Sequence, residues 1–221
     1  MNLSAILLAR VLGFVETFDL NPKGKTFFPD LVQEAVQRYR FQKFPQSLED
    51  FDETKGVVFE EGRSGDDTIQ KLTIFNTVLV LETRSNTDNS KRILEEMLVW
   101  GKQNFDLNYH PGMIKRFAYV SDVSFYSDVP LMKGIGPLQR LAEKTGEALS
   151  DIWQEQVKYE PLILTVGHDP TSRKNPIAQF TLQRRSDSRL EENKYFSEAP
   201  LPTNTHLAFL EQFEADMRAN A

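Results

Sequence analysis

Apolar and polar positions change period several times along this chain, and each change marks an element. Ile6 to Leu20 is mostly apolar at first and then alternates through Phe14, Glu16 and Phe18, which predicts a long strand with one well-buried end. Pro29-Asp30 opens a helix in which Leu31, Val32, Ala35, Val36 and Tyr39 fall at helical spacing, with Pro45 marking its end. Lys55 to Glu60 predicts a short strand, with Gly56 to Glu60 at its centre, and Gly62 to Asp67 a polar turn. Thr68 to Phe75 alternates as a strand, Asn76-Thr77 makes a tight turn, and Val78 to Glu82 returns. The run Ser85-Asn86-Thr87-Asp88-Asn89-Ser90 is rich in helix-capping residues. The helix after it carries Ile93, Leu94, Met97, Leu98 and Trp100, with Gly101 near its end.

From His110 the order repeats. Met113 to Ser127 reads as a long strand, and Gly136-Pro137 leads into a helix striped with Leu138, Leu141, Ala142, Thr145, Leu149 and Ile152. Leu162 to Val166, Ile177 to Arg184 and Lys194 to Glu198 read as strands, with a turn over Asp169 to Asn175. Thr203 or Asn204 caps a final helix with Leu207, Leu210, Phe213 and Met217. Residues 1–109 and 110–221 thus each read β-α-β-β-β-α. The expected fold is α+β: one compact domain of two pseudo-repeated units, forming a curved antiparallel sheet with helices on one face. Strands with one apolar face need a cover, and amphipathic helices supply it.

Composition narrows the function classes. Acidic residues outnumber basic ones by 32 to 26, a formal charge of −6, which opposes charge-driven binding to nucleic acid or anionic lipid. The chain has no cysteine, so disulfides, thiolate metal sites and cysteine nucleophiles are excluded. The apolar run Leu3 to Val15 contains Arg10 and is too short to span a bilayer. The expectation is a cytoplasmic protein without a membrane partner.

Each chemical motif has a plainer reading. Gly24-Lys25-Thr26 has the letters of a phosphate loop, but the glycine such a loop requires is replaced by Asp19, and Asn21, Pro22 and Gly24 spell a turn. Pro29-Asp30 with Glu53-Thr54-Lys55 has the letters of a metal-dependent nuclease, yet Asp30 sits where a helix begins and is placed to cap free amides. His110, His168 and His206 have no metal-ligand spacing, and His168-Asp169-Pro170 reads as a loop. No serine sits in a nucleophile elbow, and Glu60-Glu61 points to opposite strand faces. Arg184-Arg185, followed by Asp187 and Glu191-Glu192, reads as a solvated hairpin. No catalytic residue, metal site or cofactor is expected.

The runs TFFPDLVQEAVQRYRF, IQKLTIFNTVLVLETRS and RFAYVSDVSFYSDVPL resemble sporadically distributed, uncharacterised bacterial proteins of similar size, a group with no established activity. That resemblance implies mobile gene clusters, including anti-phage systems. The order of elements also resembles the duplicated saddle of TATA-box-binding proteins and, more loosely, helix-grip folds. Likeness of order does not carry function, and the acidic balance opposes a DNA saddle.

Surplus apolar surface is what remains to be explained. The strand with Phe117, Tyr119, Val123, Phe125 and Tyr126 is aromatic on both faces, and the first strand sets Leu7, Ala9 and Val11 against Ile6, Leu8 and Leu12. Only one face of each can meet the helices. The expectation is a non-catalytic protein-interaction module that binds another protein or a second copy, with Arg84, Arg116, Tyr119, Phe125 and Tyr126 as binding residues. The alternatives are a small-ligand binder or enzyme whose site is assembled from distant residues, and, after it, a nucleic-acid-processing protein.

Overall fold

The computed structural model describes residues 1–24, 26–52, 54–169, 171–172 and 177–219. The strands are β1 (Asn2–Phe14), β2 (Val57–Ser64), β3 (Asp67–Phe75), β4 (Val78–Thr83), β5 (Arg116–Tyr126), β6 (Ile163–Val166), β7 (Phe180–Arg184) and β8 (Lys194–Ala199). The helices are α1 (Thr17–Leu20), α2 (Phe28–Tyr39), α3 (Thr87–Phe105), α4 (Gly136–Trp153) and α5 (Thr203–Ala219). The fold is α+β, with one antiparallel sheet in the order β2-β3-β4-β1-β5-β8-β7-β6. Two compact units divide the chain: Ile6–Ser121 with Leu201–Thr203, and Met1–Ala5 with Asp122–Pro200 and Asn204–Ala221. Strands β1 and β5 contribute residues to both. Each half of the chain runs strand, helix, three strands, helix, with α1 added in the first. The halves are built differently, since β2 and β3 have 8 and 9 residues where β6 and β7 have 4 and 5. A shared order of elements is not by itself a duplication.

In the Ile6–Ser121 unit, alternation sets which side chains reach the core. Ala9, Val11, Gly13 and Val15 are buried, whereas Asn2, Leu3 and Ser4 are exposed, so the buried end of β1 is its second half. The strand also stops earlier than the alternation suggests. The amides of Val15 and Thr17 donate to the carbonyls of Thr77 and Asn76 in the β3–β4 turn, at 3.2 and 2.8 Å, and the chain then winds into α1. Phe18 is left 73% exposed on that helix rather than continuing a strand face.

Helix α2 ends at Arg40, in the left-handed region at φ 53°, well before Pro45. Asp30 lies in its first turn, but the N-cap is Phe27 and no side chain caps there, so Asp30 complements the helix dipole instead of bonding free amides. Strand β2 runs through Gly62, which the sequence assigns to a turn. A Cβ at Gly62 would meet the Phe41 ring at 2.5 Å, so the glycine admits that ring. Tyr39, Phe41, Phe59, Leu72, Leu81, Ile93 and Leu94 form the core of this unit, and Ser90 ties α3 to the sheet by donating to the Ala9 carbonyl at 2.9 Å.

In the Asp122–Pro200 unit, Phe125 stacks on Tyr195 at 5.7 Å between centroids, and the Tyr195 hydroxyl accepts from the Leu131 amide at 2.9 Å. Leu182, Leu210 and Met132 complete this core. Along α5 the buried positions are Thr203, His206, Leu210 and Glu214; Leu207, Phe213 and Met217 are only half-buried. The helix is therefore rotated from its apolar stripe toward a polar one.

The two units' cores yield a direct stability prediction. Leu81 is fully buried in the centre of β4, so Leu81→Ala should cost about 2–5 kcal/mol in chemical denaturation. Val99→Ala, at a position 40% exposed on α3, should change stability by no more than about 0.5 kcal/mol.

Candidate functional site

The five residues singled out by sequence are divided between the two units. Arg84 is exposed one position past β4, and the Gln70 amide, turned with its oxygen toward it, accepts from Nε at 2.7 Å. Arg116 is exposed, with its guanidinium 3.9 Å from the centre of the Phe14 ring, a cation–π contact that occupies it. Tyr119 is half-buried, stacks on Phe117 at 6.5 Å and packs against the core. These three belong to the Ile6–Ser121 unit. In the other unit, Phe125 is fully buried beneath Tyr195, so it is a core residue that presents no surface to a ligand. Tyr126 is 37% exposed, with Lys194 at 5.7 Å from its ring.

The motif residues settle into structural roles where they are described. Lys25, Glu53 and Pro170 lie outside the described residues, as does the end of the expected turn over Asp169 to Asn175. The Asn21 side chain closes the turn before Thr26 from both sides, donating to its carbonyl and accepting from its amide, each at 3.0 Å. His168 accepts from the Ile177 amide through Nε2 at 3.0 Å. Among the described residues no group of three His, Asp or Glu side chains is placed to hold a metal.

Three buried polar groups escape sequence reasoning, all in the Asp122–Pro200 unit. Ser197 Oγ lies 2.8 Å from His206 Nε2, and both residues are fully buried. The Ser197 hydroxyl is also 2.8 Å from the Thr181 carbonyl, which can only accept, so the serine is held between carbonyl and imidazole. Glu214 accepts from Ser127 Oγ at 2.6 Å and from the Asp128 amide at 2.9 Å. Glu160, with a side chain 4% exposed, gathers Lys158 at 3.0 Å, Lys133 at 3.4 Å and Arg184 at 3.9 Å. Arg184 is thus no solvated hairpin residue: its side chain is 6% exposed, with the guanidinium 5.0 Å from the centre of the Tyr195 ring. Arg185, beside it, does form a local surface pair with Asp187.

What this unit presents outward is apolar. Helix α4 begins at Gly136-Pro137 and ends at Gln154 in the left-handed region at φ 56°. Its one buried residue is Gly146, where the Val157 carbonyl comes so close that a Cβ would lie 2.9 Å from it. The Val157 amide donates to Ser150 Oγ at 2.8 Å and fixes the returning chain on the helix. Leu141 and Ile152 of the predicted stripe are 62% and 71% exposed, and Trp153 is 57% exposed. Next in the chain, Leu162, Ile163 and Val166 are exposed on or beside β6. Of fourteen exposed large apolar side chains among the described residues, eight lie between Leu141 and Ile177.

β6 is also an edge. No strand follows it in the sheet among the described residues. It pairs with β7 in the register Leu164↔Leu182, and the Arg184 amide donates to the Leu162 carbonyl at 2.9 Å. Alternation then turns the backbone groups of Leu164 and Val166 toward β7 and those of Ile163 and Thr165 outward. At the other end of the sheet, β2 is covered by its own chain: Gln42 and Lys43 bond across to Glu60. The strand Ile163-Leu164-Thr165-Val166 has no charge, proline or bulge to blunt it.

Neither a protein-family model nor a curated protein matches the sequence.

The Glu160 cluster sets a pH dependence. Burial alone would raise this carboxyl, but the hydrogen bond from Lys158 and the charge of Lys133 outweigh it and hold the group below its ordinary value of 4.5. The cluster therefore stabilises the fold above about pH 4.5 and loses that contribution as pH falls through the depressed value. Glu160→Gln should be less stable than the wild type by about 1–3 kcal/mol at neutral pH. Denaturation midpoints should converge on acidification, and a gap that widens instead would contradict this assignment.

Proposed function

We propose that this chain is a non-catalytic protein-interaction module. Its interaction surface is the free edge of β6 together with the exposed Leu141, Ile152 and Trp153 of α4, and its occupant is a second copy of the chain. The observation that carries the reading is a four-residue edge strand without charge, proline or bulge beside an 18-residue helix whose one fully buried residue is Gly146 and whose Leu141, Ile152 and Trp153 are exposed. An apolar helical stripe left in water gains free energy when covered, and an open strand edge gains hydrogen bonds when paired. The outward groups of Ile163 and Thr165 suit antiparallel pairing with the same strand of a second molecule, which is self-complementary by symmetry. A copy of the same chain is present wherever the protein is. The buried state of Ser197 and His206 supports a role without catalysis.

Light scattering on chromatographed protein tests this directly. The wild type should show twice the monomer mass in the micromolar range. Thr165→Pro removes an amide that points away from β7, so the intramolecular ladder survives while the outer edge is blocked. This variant should be monomeric with an unchanged far-UV spectrum. A wild type that stays monomeric throughout the range would overturn the second copy as occupant, and a Thr165→Pro variant that dimerises equally well would overturn the edge.

A further inference from the structure

The Ile6–Ser121 unit holds an apolar pocket. It has a volume of about 140 Å³, is partly open to the surface, and lies among α2, α3 and strands β2 to β4. Its wall includes Leu31 and Ala35 of α2, Phe41 beyond it, Leu72 of β3, and Met97 and Trp100 of α3. No charged side chain among the described residues lines it.

The hydroxyl and amide groups on the wall are already engaged. Thr17 Oγ1 donates to the Asn76 carbonyl at 3.1 Å. The Asn21 amide is bound on both sides by Thr26. The Tyr39 hydroxyl donates to Glu96 at 2.7 Å, and burial together with that carboxylate keeps the phenol neutral by pushing its pKa well above the ordinary value. A water needs two to four polar partners to be held in such a space. With these bonds made, the largely apolar wall offers a water few partners, so an apolar guest is favoured over water. Apolar atoms lining such a pocket forgo contacts that a fitting guest would supply.

Size and chemistry define the occupant. A dry cavity of about 150 Å³ lined by Leu, Ile and Phe side chains admits benzene. Met97 adds an unbranched side chain that can adjust to an irregular guest. The aromatic walls offer edge and face contacts to a ring: Trp100 stands edge-on to Tyr39 at 5.8 Å. We propose that the cavity between α2 and α3 is a binding site for an uncharged apolar molecule the size of a single aromatic ring. This site is independent of β6 and α4, so either assignment can fail without the other.

Benzene is the probe. In the full-length protein it should raise the thermal midpoint saturably and shift the Met97 methyl resonance through ring currents, while the Met217 methyl stays unmoved. Pyridine, of the same shape but with an acceptor that would lose its water, should bind at least about fivefold more weakly. Ala35→Leu fills the cavity from α2 and should abolish the benzene response while the far-UV spectrum is retained. If that variant does not fold, xenon applied to the wild type serves instead, and should shift Met97 and spare Met217. The absence of any saturable benzene response in the wild type, equal binding of pyridine, an undiminished response in folded Ala35→Leu, or xenon shifts that spare Met97 would each overturn the site.

Discussion

The open edge of β6 is the constraint on which this account turns. A strand in a sheet satisfies its backbone groups on two sides, and an edge strand satisfies them on one. The chain covers the outer side of β2 with its own residues 42 and 43. It spends no charge, proline or bulge on β6, whose side chains Ile163 and Val166 stand in solvent at 58% and 59% exposure. An edge so composed is stable in isolation only at the risk of pairing with whatever strand it meets. The proposed pairing with a second copy would cover that edge.

The two units use their apolar residues differently. In the Ile6–Ser121 unit, the rings of Tyr39, Phe41, Phe59 and Trp100 meet at distances of 5.3 to 6.1 Å and still leave a pocket beside them. In the Asp122–Pro200 unit the core is more polar. Tyr195 bonds the Leu131 amide, His206 bonds Ser197, and Glu160 and Glu214 sit buried among donors. Such groups are stable only when fully partnered, so they fix side-chain positions sharply. On α4, Leu141, Ile152 and Trp153 are turned outward, while Leu138, Ala142 and Leu149 are half-buried.

Local chemistry made much of the secondary structure legible. The start of α3 follows from Asn86, whose side chain accepts from the Asp88 amide at 2.8 Å, a bond that sequence spacing alone suggests. The β3–β4 hairpin follows from alternation on both sides of Asn76-Thr77. Helix α1 was not legible, because the turn carbonyls that draw Val15 and Thr17 out of the strand lie about sixty positions further on. The same reason hid the buried acids: Glu214 is bound by Ser127 and Asp128, some 87 residues away, and no spacing rule joins them. Phe125 looked available because both faces of β5 are aromatic, and only Tyr195 decides which face is closed. Periodicity placed a stripe on α4 and a strand at β6 but is silent on whether either is covered, which is the property the proposed function needs.

Hydrogen–deuterium exchange resolved to single amides tests the central claim most directly. The N–H groups of Ile163 and Thr165 point away from β7. Pairing with a second copy should slow their exchange as concentration rises, while the amides of Leu164 and Val166 stay protected at every concentration. Exchange of Ile163 and Thr165 at the rate of an open chain, unchanged from dilute to concentrated solution, would contradict the account.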